Sequence, residues 1–420
     1  MSAFVMALMM SGVAQGACVV ADGGEVYTSE GLASGADVVW VDTRIVAVGK
    51  GLADLKKGAW KGEACQVVDA TGLAVTPGFI ETRSSLGLVE VGMEPSTRDG
   101  DAGGDDPIRA ALRVADAYNP RSSLVPIQRV EGVTSALVLP SGGQISGQAA
   151  YVVLAGATQA EAVVDASVAV VASIGGSSRA EGLRRLRAVL QDAREFRRLK
   201  GAWERNQTRP LAASGADLEA LWPVVDGDQA LIVAADRAAD IEALLRLQAD
   251  LNLRLVIHGA AEGWMHAEAL ADAGVAVVID PLVYGPGSFN QIHGRADNGA
   301  LLVAAGVDVI IATGSSHNAR NLGQYAGNAV RGGMKPADAL AAITSAPAKV
   351  YGLEDRGVLE VGARADVVIW SGQDPLELSS LPVAVFIDGR PIALESRQTL
   401  LRDAYSQLPG TPTPPLSLPE

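Results

Sequence analysis

The stretch Val75-Thr76-Pro77-Gly78-Phe79-Ile80-Glu81-Thr82-Arg83-Ser84-Ser85-Leu86-Gly87 decides how the chain is read. A short apolar strand ends at Pro77-Gly78, and a second begins at Phe79 and runs into a polar end rich in hydroxyls. That pattern marks a small β-region handing over to the first strand of something larger. Upstream, residues 18–75 hold short alternating strands broken by Gly and Asp: 19–21, 26–27, 38–41, 45–48 and 66–69. They are too few for a stable sandwich of their own. Strand-like runs reappear at 364–370 and 383–390, with a turn at Asp388-Gly389. The two ends of the chain are therefore expected to build one β-sandwich, from residues 18–77 and 353–400, around an inserted central region, 78–352.

Within that region, strands at 79–80, 135–139, 168–172, 230–234, 253–257, 275–279 and 307–311 alternate with helical segments such as 180–205 and 236–251. Strand, helix, strand at this spacing means parallel pairing. About eight such units close as a (β/α)8 TIM-like barrel, whose chemistry gathers at the C-terminal strand ends. An open doubly wound sheet is the alternative, but no Gly-rich phosphate turn follows the first strand.

Composition agrees with a globular α/β protein: 420 residues, 48% hydrophobic, 20% charged. A net charge of -14 argues against nucleic acid or anionic lipid as a partner, because phosphate binding needs a basic surface. Residues 2–13 are apolar and lead to Ala14-Gln15-Gly16-Ala17, small residues of the kind a signal peptidase cuts, although no Lys or Arg precedes them. The run is too short to span a bilayer. Residues 1–17 are read as a signal peptide, with a first core strand as the alternative, and the protein as periplasmic or secreted. The two cysteines, Cys18 and Cys65, then flank one β-region in an oxidising compartment, and a disulfide is expected over two inert thiols. The Pro-rich end, 408–420, reads as a disordered tail.

Several motifs resemble the amidohydrolase superfamily, the metal-dependent hydrolases that include imidazolonepropionase-like and prolidase-like enzymes. The resemblance rests on Asp69-Ala70-Thr71-Gly72-Leu73-Ala74 running through Pro77-Gly78-Phe79-Ile80-Glu81, on Thr344-Ser345-Ala346-Pro347-Ala348, and on Gly357 to Val368, Gly-Val-Leu-Glu-Val-Gly-Ala-Arg-Ala-Asp-Val-Val. It implies a (β/α)8 barrel with a discontinuous β-sandwich. It also implies His-x-His at the end of the first barrel strand, where this chain has Arg83 and Ser85, and an Asp after the last strand's threonine, where it has Gly314. A permanently protonated guanidinium repels zinc, and a serine hydroxyl is a feeble ligand. Asp236 stands where the fifth strand would supply a histidine, and His258 is kept near the end of the sixth.

The chain has four histidines in all, a binuclear centre would need four at set strand ends and His266 is read within a helix, so no cofactor is expected beyond at most one weakly bound zinc. His258 is read either as a lone ligand or acid/base group, or as a satisfied polar residue at the barrel mouth. His317 follows the last strand in a polar loop and is either a ligand contact or a loop cap. Asp236, His258 and His317 are the catalytic candidates. Arg83, Ser85, Gly314 and Arg237 are the ligand-binding candidates, Arg83 either plugging the old site in a salt bridge with Glu81 or Asp236, or lining a pocket for a carboxylate. The Gly- and Ser-rich segment 140–149 is a second, weaker binding candidate. Two functions stay open: a non-catalytic protein that binds a small-molecule or peptide-like ligand, as a homo-oligomer or paired with an intact homologue, and an active hydrolase of amide or cyclic amide bonds with a reduced site.

Overall fold

A computed structural model describes residues 18–52, 59–101, 106–175, 178–353 and 355–406. The signal-peptide and Pro-rich-tail readings lie outside these residues. The N-terminal strands are β1 (Cys18–Thr28), β2 (Gly31–Val41), β3 (Arg44–Gly49), β4 (Ala59–Trp60), β5 (Glu63–Asp69) and β6 (Ala74–Pro77). The central strands are β7 (Phe79–Ser84), β8 (Val133–Val138), β9 (Ile145–Val153), β10 (Val163–Ser173), β11 (Ala230–Ala235), β12 (Leu255–Gly259), β13 (Ala276–Ile279) and β14 (Val309–Ile311). Three strands close the chain: β15 (Val367–Trp370), β16 (Pro382–Ile387) and β17 (Arg390–Pro391).

The two chain ends share one nine-stranded sheet, ordered β17-β16-β15-β6-β1-β2-β3, with β5 also on β1 and β4 on β5. β15 runs antiparallel to β6, with Val367 opposite Pro77, so the strand that leads into the barrel is held by the strand that leaves it. Cys18 and Cys65 face each other across the parallel β1–β5 pair, Cα atoms 4.5 Å apart, and are joined by a disulfide. Asp388 and Gly389 both take positive φ, 49° and 72°, which turns β16 into β17 as the Asp-Gly pair suggested.

The other sheet has eight strands in chain order from β7 to β14. Seven run parallel; β9 is antiparallel to both neighbours, β8 and β10. The barrel reading therefore holds with one strand reversed, where an unbroken strand-helix rhythm was expected. The last five residues of the segment 140–149, read as a ligand-cradling loop, begin this buried strand instead. Its glycines serve packing. Gly147, at φ 130°, lies against Leu112, where an added Cβ would come within 2.6 Å of the Leu112 carbonyl oxygen.

β14 and β7 close the ring through a short splice rather than a ladder. Ile80 N–H donates to the Ile343 carbonyl (2.8 Å) and Ile311 N–H to the Ala342 carbonyl (3.0 Å). The barrel interior is filled by alternate residues, among them Ile80, Ile232, Val256, Val278 and Ile310, and stoppered by the helix Ser345–Tyr351 through Ala348, Val350 and Tyr351. Gly78 is fixed by this geometry: a Cβ there would sit 2.0 Å from Thr134 Oγ1 on β8. Outside the barrel, helices such as Arg179–Glu204 and Ala238–Leu251 turn Leu186, Leu190, Phe196, Leu244 and Leu247 onto the strands. Among the described residues no helix is long and apolar enough to cross a membrane.

Candidate functional site

Strand alternation places the next inward residues above the filled core, at the C-terminal mouth. On β8, β10 and β11 these are Leu139, Val171 and Ala234, the first two half-buried and Ala234 exposed, so solvent reaches down to that level of the barrel. On β12 the inward residue is His258; just beyond β13 it is Asp280, and beyond β14 it is Gly314. One arc of the mouth is thus apolar and the opposite arc polar.

β7 reaches the mouth differently. Its register against β8 slips between Glu81 and Ser84, where three residue steps oppose two on β8, from Ala136 to Val138. This bulge reverses the side-chain alternation beyond Glu81. Glu81, fully buried, accepts three hydrogen bonds: from Arg83 N–H at 2.8 Å, from Thr313 N–H at 2.9 Å and from the Thr313 hydroxyl at 2.8 Å. Its carboxylate clasps the first barrel strand to the loop after the last. Burial raises the Glu81 pKa, against the pull of the Thr313 and Arg83 donors.

Arg83, half-buried, lies along Gly314: a Cβ built on Gly314 would be 3.7 Å from Arg83 Cδ, 3.8 Å from Nε and 3.9 Å from Cζ. Gly314 itself has φ 66°, a conformation suited to glycine. Among the described residues the Arg83 guanidinium has no ion pair and no hydrogen bond, its backbone N–H alone being bonded, to Glu81. The expected salt bridge with Glu81 or Asp236 is not formed. Both Glu81 oxygens are engaged by its clasp, and Asp236 is held elsewhere, accepting from Gln291 Nε2 at 2.9 Å and from Ala261 N–H at 3.4 Å. Asp236 packs onto Gly259, where a Cβ would lie 2.3 Å from its Oδ1.

His258 is buried beneath the mouth, its Nε2 3.4 Å from the Tyr351 hydroxyl of the stoppering helix. Burial, and then the Arg83 charge, lower its pKa to about 3, so it is neutral at physiological pH. Asp280 is a mouth residue that sequence reading missed, although it directly follows the strand 275–279. Burial raises its pKa; the Leu282 N–H and Arg83 pull it down, and Asp236 adds to the rise. Asp280 Oδ1 accepts the Leu282 N–H at 2.9 Å. The field of Arg83 thus joins Asp280 and His258 in one electrostatic group.

The other candidates lie apart from it. Ser85, half-buried, accepts the Leu88 N–H through its carbonyl. Arg237 precedes the helix Ala238–Leu251 as its N-cap, and no ion pair of its side chain occurs among the described residues. His317 is exposed, its Nδ1 3.3 Å from Ser316 Oγ, and none of its hydrogen bonds reaches Arg83, Asp236 or His258.

The superfamily resemblance implies a metal at this mouth, and the donor set does not fit one. Arg83 brings a fixed positive charge to the place of the first ligand, Gly314 has no side chain, and His258 has its ring against Tyr351. Among the described residues no three His, Cys, Asp or Glu side chains group so as to hold a metal ion.

Residues 224–393 match the amidohydrolase family profile. Among curated proteins, the chain is similar to the amidohydrolase tasK of Hapsidospora irregularis, 23% identical over 398 residues, 83% of this chain and 40% of that protein. It is also similar to an imidazolonepropionase of Alteromonas mediterranea, 38% identical over 64 residues, 14% of this chain and 15% of that one. The chain thus spans well under half the length of the curated relatives it matches. Among solved structures, an amidohydrolase from Thermotoga maritima superposes with a TM-score of 0.78 at 24% identity, covering 89% of this chain and 99% of that chain. A zinc-bound adenosine deaminase from Xanthomonas campestris superposes with a TM-score of 0.54 at 16% identity, over 92% and 97% of the two chains. These two likenesses concern the fold, and the profile match covers the barrel's second half and the returning strands: over that part the chain is similar to the amidohydrolase family.

Proposed function

We propose that this protein is a ligand-binding member of the superfamily, in which an arginine stands in the place of the metal and holds a carboxylate-bearing small molecule or peptide-like ligand without hydrolysing it. The single observation that carries this reading is the Arg83 guanidinium, laid over Gly314 at the barrel mouth with no carboxylate paired to it among the described residues. Five N–H donors in a planar fork match a carboxylate in a bidentate pair, and a half-buried setting strengthens such bonds. The neutral His258 adds no competing charge. The Cys18–Cys65 disulfide supports an oxidising compartment, periplasmic or extracellular, for this activity. Action alone, as a homo-oligomer, or beside an intact homologue is compatible with the same site.

A second reading, an active hydrolase of carbon-nitrogen bonds in amides or cyclic amides, is favoured by Asp280. A carboxyl whose pKa burial raises above the ordinary aspartate value is a better proton acceptor than a free one, as a general base needs to be.

Both readings are tested on full-length protein purified without chelators. Metal content, binding of simple carboxylates by calorimetry and turnover of amide substrates are measured on the wild type and on Arg83→Met. The binding reading expects no stoichiometric zinc, no turnover, and a loss of carboxylate affinity of about 10- to 100-fold in Arg83→Met, the worth of a charge-assisted bidentate pair. Stoichiometric zinc with turnover, or unchanged affinity in the variant, would overturn it.

A further inference from the structure

We infer that the ligand of this mouth is a zwitterion, carrying one ammonium and one carboxylate on an apolar skeleton, as in an apolar α-amino acid or a short apolar peptide. The inference rests on the Arg83 reading and adds the second charge and the apolar part. It starts from the charges that the mouth already holds. Arg83 is the cation of its electrostatic group, and Asp236 and Asp280 stand at the ends of β11 and β13, on either side of β12. A ligand with a carboxylate alone would satisfy Arg83 while facing two protein carboxylates, and that repulsion sets a limit on its affinity. A ligand that brings an ammonium as well meets both signs.

Hydrogen bonding selects which carboxylate receives the ammonium. Both Asp236 oxygens already accept protein donors, Oδ1 from Ala261 and Oδ2 from Gln291. Asp280 uses only Oδ1, for the Leu282 N–H, and its Oδ2 has no protein donor among the described residues. Asp280 therefore takes the ammonium, while Asp236, fixed against Gly259, contributes its field. Arg83 and Asp280 make no ion pair with each other although Asp280 feels the Arg83 charge, so neither neutralises the other and both are left for a ligand to meet. The opposite arc of the mouth, Leu139, Val171 and exposed Ala234, offers a surface for an apolar side chain.

Calorimetry on the full chain decides the matter with four forms of one side chain: leucine, N-acetyl-leucine, leucinamide and leucyl-leucine, repeated with alanine and phenylalanine. Leucine or leucyl-leucine is expected to bind at least about tenfold more tightly than either blocked form, and the tighter of the two identifies amino acid or peptide. Asp280→Asn, with its fold checked by circular dichroism, is expected to lose about tenfold for the zwitterion and to gain affinity for the N-acetyl form. N-acetyl-leucine binding as tightly as leucine, or an Asp280→Asn protein that binds the zwitterion unchanged, overturns the zwitterion and leaves the Arg83 reading standing. Leucinamide binding as tightly as leucine, or no binding of any form, overturns both.

Discussion

Replacing Glu81 tests the clasp on which the barrel's closure and the setting of Arg83 both depend. In Glu81→Gln the side chain keeps its shape, but one oxygen becomes an amide NH2. Every position the carboxylate oxygens occupy faces a donor, Arg83 N–H on one side and the Thr313 N–H and hydroxyl on the other. The least costly orientation turns the NH2 toward Arg83, losing one hydrogen bond and leaving that N–H unpaired, for about 1–3 kcal/mol. Glu81→Ala strips all three donors at once, roughly 3–9 kcal/mol on the same scale, against a total stability of about 5–15 kcal/mol. The alanine variant is therefore expected to be insoluble and the glutamine variant measurable. Urea unfolding followed by tryptophan fluorescence suits the assay, because Trp370 stacks on Phe79 at 5.0 Å, two residues from the clasp. The pH dependence has a definite sign. Burial raises the folded-state pKa of Glu81 above 4.5, so its contribution to stability is present below that value and is lost as pH rises through the folded pKa. Glutamine does not titrate, and the penalty of Glu81→Gln should shrink as pH rises above 4.5 through the raised folded-state pKa. A variant as stable as the wild type throughout, or a penalty that grows with pH, would refute the clasp as described.

Gly314→Asp forces a side chain onto φ 66°, at about 1–2 kcal/mol, and sets a carboxylate against Arg83; calorimetry should find carboxylate binding abolished while the melting temperature falls only a few degrees. Replacing both Cys18 and Cys65 by Ser opens a bridge of sequence separation 47, for which loop entropy gives about 4 kcal/mol; urea midpoints with and without the bridge measure it. Arg356→Met leaves Asp366 buried without its cation, since Arg356 and Asp366 are 2% and 4% exposed, and should cost about 3–5 kcal/mol in the same assay.

Much of the architecture was legible because it rests on periodicity. The parallel strands at 230–234, 275–279 and 307–311 fall within two residues of β11, β13 and β14, and the helix read at 180–205 is Arg179–Glu204. β9 was not legible. Its Ile-Ser-Gly-Gln opening follows Gly142-Gly143-Gln144 and looks like loop, and only pairing on both edges, with β8 and β10, makes a strand of it. At the mouth, the loss of His-x-His was plain from residue types, since it needs no geometry. The partnerships were not. Whether Glu81 would meet the Arg83 side chain or its backbone depends on a bulge of one residue, and hydrophobic alternation cannot locate it. Asp280 escaped notice because an Asp-Pro pair after a strand is also an ordinary turn, and only its place at the mouth within reach of the Arg83 charge distinguishes it.

The opening stretch divides into a part that makes the barrel and a part that furnishes it. Gly78 admits no Cβ beside Thr134, and both Glu81 oxygens accept hydrogen bonds, those from Thr313 closing the ring, so neither position is free to change without repacking. Positions 83 and 85 enter the fold through the backbone: Arg83 by its N–H to Glu81, Ser85 by its carbonyl to Leu88. Their side chains can be exchanged while the barrel stays closed. A metal ligand is thus not a structural element here, and an arginine at position 83 keeps a positive charge at the mouth with no ion to supply it. That charge differs from a metal's in one respect that matters for function: it cannot lower the pKa of a water bound to it and generate hydroxide, whereas it holds a carboxylate through directed N–H donors. On the reading proposed above, the arginine that departs from the family's first metal ligand is therefore also the residue that offers a site to an anion.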